Sequence, residues 1–514
     1  MGVITFIILF TSAVVSTHSF AVTSRNTFVP RNRILMVDSM YKPVIIVGGG
    51  PAGLCTAIML AKKGFSKIKV FDRLSEPPMP DDEKAWADMN AERSYNIGIN
   101  GRGQRTLSAL GVMSTIGLYS KSVIGRKDWA PESDINTPRE TIYGSSKPYQ
   151  TKCIQRDRLA SCLLKHIREN YAERVSVTYN TECKGVEWID LEKNSETAVV
   201  RFSRGEADTP PTNWQESTNF LIGADGPKSV IRLQMENDKC FHKRYSDTNV
   251  RVYRTIPLYF PDNEPEKWRR DLNYAVLTKS DINLDALPTI EGPFVGVVLH
   301  RPWDARVTGL RTAQEARQFF DAFFPMFSPC ILEKDLQAFV NKNSSKLPTF
   351  SYAGPVLHKG QTTCLLGDSI HTVKPYFGMG VNSAFEDVLY LEQALDKAHN
   401  DTRLAVKLFS AQRAPDARAL VEMSRALDGG FFSFIFPLIV DSITHKLFPR
   451  IFYPGVITCL QNQNWTFSHI QKRKRLDRLL QIVLGAVSGT AAILGGKTLL
   501  TTLFRKILKY KFLM

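Results

Sequence analysis

Paired cysteines and metal-ligand clusters are missing from this 514-residue chain. Its eight cysteines (Cys55, Cys153, Cys162, Cys183, Cys240, Cys330, Cys364 and Cys459) lie scattered, with no CxxC pair and no His/Cys group at zinc-site spacing. That argues against a zinc module and favours reduced, buried thiols over a disulfide framework. Internal repeats and low-complexity tracts are absent outside the two ends, which excludes solenoid and linker architectures. Acidic residues are absent before Asp38, and no basic residue precedes the apolar run Ile4 to Val15. What is present, 43% hydrophobic and 23% charged residues, describes a globular chain able to hold two closely associated domains plus extensions.

The formal charge of +16 is concentrated toward the C-terminus, in Lys472, Arg473, Lys474, Arg475 and Arg478 and again in Arg505, Lys506, Lys509 and Lys511. These clusters bracket the uncharged run from Leu479 to Gly496, which predicts a membrane-associated helix over 479–504, spanning or interfacial, with its basic ends at lipid headgroups. A second apolar stretch, Phe431 to Val440, is too short to span and is broken by Pro437; it reads as a core helix or a further interfacial contact. Basic clusters set beside apolar segments exclude nucleic acid as a partner. At the other end, residues 1–40 read as a targeting segment outside the catalytic fold. An apolar core followed by a Ser/Thr/Arg-rich stretch containing Phe20 resembles the bipartite presequences of algae with secondary plastids, with mitochondrial or endomembrane addresses as alternatives.

Lys42 to Val47 reads as a buried strand, AGLCTAIMLAKKG as a helix stopped by Gly64, and Lys67 to Asp72 as a second strand. Strand, glycine turn, helix and strand within about 30 residues form a βαβ unit opening a dinucleotide-binding sheet. Gly48, Gly50 and Gly53 satisfy GxGxxG at the turn, where side chains would block the tight turn, the approach to a pyrophosphate and helix packing. The helix N-terminus offers free N–H groups to phosphate, and Asp72 stands where an acid would meet ribose hydroxyls. Which dinucleotide is bound stays open at this point.

Two more elements follow. In NFLIGADGPKSVIR a strand runs into Asp225 and Gly226, with Ser229 and Arg232 at a helix start; in TCLLGDSIHTVKPYFGMGVNSAFED a strand delivers Gly367 and Asp368, and a glycine-rich stretch opens a long helix. Between them, from Val250 to Asp304, alternating segments predict an antiparallel sheet, and helical periodicity returns at Ala313 to Phe324 and Ser383 to Leu395. The fold class is therefore α/β with α+β character: a Rossmann-like nucleotide domain over 41–250 and 346–416, an inserted substrate domain over 251–345, a helical region over 417–478 and the C-terminal membrane segment.

The three motifs in this order resemble the group A flavoprotein monooxygenases. That resemblance implies FAD as cofactor, NADPH or NADH as electron donor, and hydroxylation or epoxidation by O₂ through a flavin C4a-hydroperoxide. It implies that Gly48, Gly50, Gly53 and Asp72 hold the ADP part, that Asp225 and Gly226 lie near FAD and the entering nicotinamide, that Gly367 and Asp368 hold the ribityl chain, and that Arg156 lies against the phosphate-ribityl region. A helix starting at Gly380, Val381 and Asn382 would aim its positive end at the flavin, while Pro375 and Gly378 would border the ring and exclude water. Within the family, RSYN (Arg93 to Asn96) followed by Gly103, the long third motif, Glu422-Met423 and the basic C-terminal segment resemble the kynurenine 3-monooxygenases, which implies that Arg93 pairs with a substrate carboxylate. Where those enzymes carry tyrosine and asparagine ahead of Glu422, this chain has Arg418, Ala419 and Leu420. The substrate expected is an aromatic acid or, from that apolar change, a lipophilic molecule such as a carotenoid, quinone or isoprenoid. An FAD reductase on the same scaffold and a non-catalytic flavin-binding membrane protein are the rival classes.

Overall fold

The computed structural model describes residue 40 and residues 42–493, apart from 88–94, 132–133, 145–148, 191–195, 206–209, 237–239, 247–248, 291, 376–377 and 430–434. Arg93, the targeting segment and residues 494–504 of the C-terminal segment lie outside the described residues.

The sequence VIIV is wholly buried as β1 (Val44–Val47), because a strand covered on both faces tolerates no polar alternation. It pairs in parallel with β2 (Ile68–Phe71) on one side and β4 (Phe220–Gly223) on the other; β3 (Val175–Thr178) and β5 (Thr363–Leu365) extend the sheet, giving the order β5-β4-β1-β2-β3 with His358–Lys359 antiparallel at the edge. Helix α1 (Pro51–Lys62) starts with proline, whose fixed φ suits the first turn, and ends before Gly64 at φ +97°. It is packed between this sheet, α2 (Arg156–Asn170) and α3 (Gly380–Lys397). All three glycine-bearing turns follow the carboxyl ends of neighbouring strands, where open α/β sheets bind ligands.

The inserted sheet has seven strands, in the order 345–346, 252–258, 294–300, 283–287, 272–276, 125–129 and 139–142. It departs from the expected boundaries and pairing in two ways. Gly125–Trp129 and Arg139–Ile142 come from before residue 250, and Gly125–Trp129 pairs in parallel with Leu272–Val276. The parallel pair arises because the first of these strands arrives from the nucleotide domain and not through a hairpin. An aromatic core of Trp129, Phe260, Trp268, Tyr274, Phe294 and Phe327 fills the space between this sheet and its covering helices.

The two crossings between domains meet in a small antiparallel sheet, where Cys240–Arg244 pairs with Ser351–Pro355 and Ser351–Tyr352 pairs with His371–Thr372. Against it packs α4 (Thr402–Leu427), followed by α5 (Ile435–Leu447) and α6 (Phe467–Ile493).

A membrane-spanning C-terminus finds no support: among the described residues no helix is long and apolar enough to cross. The basic residues expected at headgroups are partly committed inside the protein. Lys474 pairs with the buried carboxylates of Asp441 (2.9 Å) and Asp477 (3.0 Å), Arg478 with Asp441 (3.0 Å) and Arg473 with Asp477 (3.3 Å). The two pairs made by Asp441 clamp α5 to α6, and those made by Asp477 lie within α6.

The density of rings around Phe327, itself fully buried, makes it the sensitive point of the inserted sheet. Phe327→Ala is expected to cost about 3–5 kcal/mol, read as a lower urea midpoint in the fluorescence of Trp129 and Trp268.

Candidate functional site

The first turn is so tight that its glycines are obligatory. Gly48 has φ +108°, and a Cβ there would lie 2.3 Å from the carbonyl oxygen of Ala224; a Cβ on Gly53 would lie 1.9 Å from the carbonyl of Gly48. Gly50 differs, since its added Cβ would meet only Arg156 Nη2 at 3.6 Å. What Gly50 keeps open is the space above the N-terminus of α1, which has no side-chain cap and no acid in its first turn and therefore favours an anion. Asp72 takes backbone N–H groups on both oxygens, from Gly49 at 2.6 Å and Leu74 at 2.7 Å. It braces the turn, and each oxygen retains a lone pair for a ribose hydroxyl.

The second motif touches the first directly, because Ala224, which crowds Gly48, precedes Asp225. Asp225 Oδ2 accepts from the N–H groups of Val230 (2.7 Å) and Ile231 (3.4 Å), capping the short helix Val230–Met235, and Gly226 takes φ +79°. Its Oδ1 is buried without a hydrogen-bond partner among the described residues, and burial pushes its carboxyl above the ordinary carboxylate range. Arg232, fully buried, donates to the carbonyls of Ser369 (2.9 Å) and Pro227 (2.7 Å), so it ties the second motif to the third.

In the third motif Gly367 turns at φ +66°, with its added Cβ 3.2 Å from Ala52 on α1. Asp368 follows, its carboxyl raised by burial and drawn back by the neighbouring His371 and Arg156. Arg156 heads α2, donates to Asp157 at 2.6 Å and is half-buried. Gly50, Arg156 and Asp368 thus share one cleft. Tyr95, whose carbonyl accepts from the Arg156 backbone N–H at 3.1 Å, has its hydroxyl pushed up to about 12 by burial, against the pull of Arg156. It interacts electrostatically with Asp368 on the nucleotide side and Tyr253 on the inserted sheet.

Helix α3 also begins without a side-chain cap or first-turn acid. Pro375 is exposed, Gly378 turns at φ +59° and donates to the Pro375 carbonyl at 2.9 Å, and the nearest atom to a Cβ on Gly380 is Val373 Cγ2 at 3.9 Å. The side chain of Asn382 is not free for a cofactor. It donates to the carbonyls of Gly98 (2.9 Å) and Gly378 (2.6 Å) and accepts from Asn100 N–H (2.9 Å), so at this helix start only the backbone around Val381 and Asn382 can face a ligand. Gly103 is required beneath it, since a Cβ would reach Asn382 Oδ1 at 2.3 Å.

Sequence reading missed the network behind the cleft. Asp387, with no exposure, accepts from Gly367 N–H (2.7 Å) and Arg413 Nε (2.5 Å) and lies 2.9 Å from His371 Nε2. Burial alone would raise its carboxyl; His371 and Arg413 together outweigh that and hold it below the ordinary range. His371 and Asp387 lie inside the third motif, where charged residues within buried elements were the available signal. Arg413, about 26 positions on, had none. The apolar change at Ala419 and Leu420 has a structural role, since both are buried with Phe467 and Ile470 of α6, while Glu422 is engaged by Arg418 (2.7 Å) and Gln471 (2.9 Å).

The residues present fit FAD: a cradle that a Cβ would fill, an unpartnered buried oxygen at Asp225, a cation and an acid along one cleft, and two uncapped helix starts. Because burial raises Asp225 in the folded state, the ionised group costs stability at neutral pH, and that cost disappears as pH falls through its folded value toward the unfolded value near 4. Asp225→Asn is accordingly expected to raise the apo-protein Tm at pH 7, with the gain vanishing by about pH 4, and to weaken FAD binding about tenfold, measured by thermal melts and flavin titration.

Residues 41–424 match the family model described as FAD binding domain. The chain is 25% identical over 473 residues to kynurenine 3-monooxygenase of Candida albicans, covering 89% of this chain and 97% of that one. It is likewise 25% identical over 456 residues to violacein synthase of Chromobacterium violaceum, covering 84% and 97%. Among solved structures, a 2-methyl-3-hydroxypyridine-5-carboxylic acid oxygenase superposes with a TM-score of 0.55 at 16% identity, over 76% of this chain and 93% of that one. The shared cleft, and a family match running from β1 through nearly all of α4, place the chain in the FAD binding domain family as an FAD-dependent monooxygenase of the aromatic-hydroxylase type.

Proposed function

We propose that the enzyme takes electrons from NADPH or NADH and places one oxygen atom of O₂ on an electron-rich aromatic acid of the kynurenine kind. The observation that carries this reading is the nearness of Arg156 to both Gly50 and Asp368, and of Gly367 to α1 and to α3, whose start is uncapped. FAD, when bound, supplies the redox and oxygen-activating chemistry. The chain's own residues do the rest. The start of α1 and Arg156 neutralise phosphate charge. Asp72 and Asp368 bind sugar and sugar-chain hydroxyls, and the start of α3 stabilises negative charge developing in the cleft. Tyr95 remains a neutral hydroxyl at working pH, positioned electrostatically between the cofactor side and Tyr253. No protein nucleophile is needed.

An aromatic acid is favoured over a lipid because Ala419 and Leu420, the apolar departures, are used in packing against α6. The test is NADPH and O₂ consumption by the FAD-loaded protein with kynurenine, other aromatic acids or a lipid extract, with products weighed after reaction in ¹⁸O₂. One ¹⁸O in an aromatic acid is the expected result; NADPH oxidation that persists without O₂ and yields a reduced product would establish a reductase instead. In the same assay Arg93→Ala is expected to raise KM for a carboxylate substrate about tenfold or more with a smaller change in kcat, as loss of a ground-state ion pair requires.

A second reading concerns the C-terminal helices, as contact with a lipid surface and not passage through it. Ile435, Phe436, Ile439, Ile443 and Leu447 on α5 and Leu479, Ile482 and Val483 on α6 are exposed, and apolar helix faces beside basic residues suit an anionic interface. Sedimentation with phosphatidylserine vesicles tests it: binding by the full chain should be lost in an Ile439→Ser/Ile443→Ser variant, and equal sedimentation of both proteins would discard it.

A further inference from the structure

The inserted sheet has two unlike faces. Trp129, Tyr274, Val276, Leu284 and Ala286 belong to the aromatic core, and because side chains alternate along a strand, the residues between them point the opposite way. Strand register sets those residues in rows. Thr255 lies beside Val297, Val297 beside Asp285, Asp285 beside Ala275 and Ala275 beside Asp128. In the next row Arg126 lies beside Asn273. Aspartate is disfavoured inside a strand, yet Asp285 sits in the middle of Asn283–Leu287. Its cross-strand neighbours, Ala275 and Val297, are too short to cover its carboxyl.

This face is turned toward the nucleotide domain. Asn96, the residue after Tyr95, donates through Nδ2 to the carbonyls of Pro288 (2.9 Å) and Leu287 (3.4 Å). Leu287 is two residues from Asp285, about 7 Å along the strand. The Tyr95 hydroxyl interacts electrostatically with Arg156 and Asp368 and also with Tyr253, which shares the face of Thr255. Water reaches Asp285, and the surrounding protein nevertheless pushes its carboxyl up to about 6 by burial. Both hold for a group on the floor of an open recess.

The recess is short of donors. Asp285 makes no hydrogen bond or ion pair among the described residues. Arg126, the cation that draws its carboxyl back, is bonded to Asp128 instead, through Nε and Nη2 at 2.7 Å each. Lys342 is held two strands away by Thr255 Oγ1 at 2.7 Å. Asn96, only 6% exposed, leaves its Oδ1 without a hydrogen-bond partner among the described residues, and Asn273 Oδ1 is buried in the same condition. A carboxylate can only accept hydrogen bonds, and an N–H that donates to it makes a charge-assisted bond. An apolar or purely anionic ligand would leave these acceptors unpaired, which is unfavourable.

We propose that Asp285 is a specificity-determining residue, whose carboxylate on the nucleotide-facing side of the inserted sheet receives an amino group of the aromatic acid to be oxygenated. Asn96 and Asn273 offer further acceptors beside it. The substrate's own carboxylate is directed away from Asp285 by like-charge repulsion. This rests on the aromatic-acid reading of the cleft and narrows it to substrates that carry an amine.

The experiment titrates FAD-loaded wild type, Asp285→Asn and Asp285→Val with two pairs of aromatic acids that differ by their amino groups: kynurenine against 4-oxo-4-phenylbutanoate, and 2-aminobenzoate against benzoate. Kd is read from the flavin absorbance, with Tm and FAD affinity alongside. In at least one pair the wild type is expected to bind the amino member about tenfold or more tightly. Asp285→Val should bring the two members of that pair within about threefold of each other by weakening the amino member, and Asp285→Asn should lose less, since it keeps a neutral acceptor. FAD affinity should be unchanged, and Tm at pH 7 unchanged or raised, because an ionised group whose carboxyl is raised in the folded state gives up stability there. No amino preference in the wild type, a preference that survives in Asp285→Val, or equal weakening of both members would overturn the proposal. NADPH oxidation that persists without O₂ and yields a reduced product would remove the monooxygenase reading instead, and leave the amino preference and its dependence on Asp285 standing.

Discussion

The arrangement depends on one buried carboxylate. Asp387 receives the Gly367 N–H of the third motif, the ring of His371 and the guanidinium of Arg413, and so joins the end of β5, the junction sheet, α3 and α4 at a single point. A charge taken out of water is tolerable only when its partners are close and well directed, so the four elements meet in one geometry or lose the compensation. Arg413 extends the network to Asp416 at 2.9 Å and to the Ser383 carbonyl at 3.0 Å, which carries the constraint along α4 toward the C-terminal helices.

Around that point the cleft is defined more by what is left open than by what is filled. Helices α1 and α3 begin with neither a side-chain cap nor a first-turn acid, one oxygen of Asp225 has no hydrogen-bond partner among the described residues, and glycines stand where backbone comes within contact distance of backbone. Each is unfavourable or neutral for an empty protein and useful only to an anionic, polar ligand lying along the carboxyl ends of the sheet. The protein gives up stability at this cleft and regains it in the dense cores beside it, the parallel sheet on one side and the aromatic cluster of the inserted sheet on the other.

Legibility followed the range of the interactions. Gly48, Gly53, Asp225, Gly226, Gly367 and Asp368 were readable because a tight turn after a strand demands particular residues within a few positions, whatever the remainder of the chain does. Asn382 was read as a cofactor residue because it stands at a helix start. Its amide was already claimed by Gly98 and Asn100, residues about 280 positions away, and no local pattern discloses that. The basic cluster in the first half of α6 was read as headgroup anchoring for the same reason. Asp441, which takes Lys474 and Arg478, lies on another helix.

The sequence by itself determined the βαβ opening, the order of the three motifs, the family resemblance and FAD, since strand hydrophobicity, glycine turns and helix starts are governed by neighbours along the chain. Only the tertiary structure decided which charges are spent internally, that two strands from before residue 250 join the inserted sheet, and that Ala419 and Leu420 face a core. Those outcomes are set by desolvation and packing between segments hundreds of residues apart, and burial of that kind has no periodicity from which it can be read.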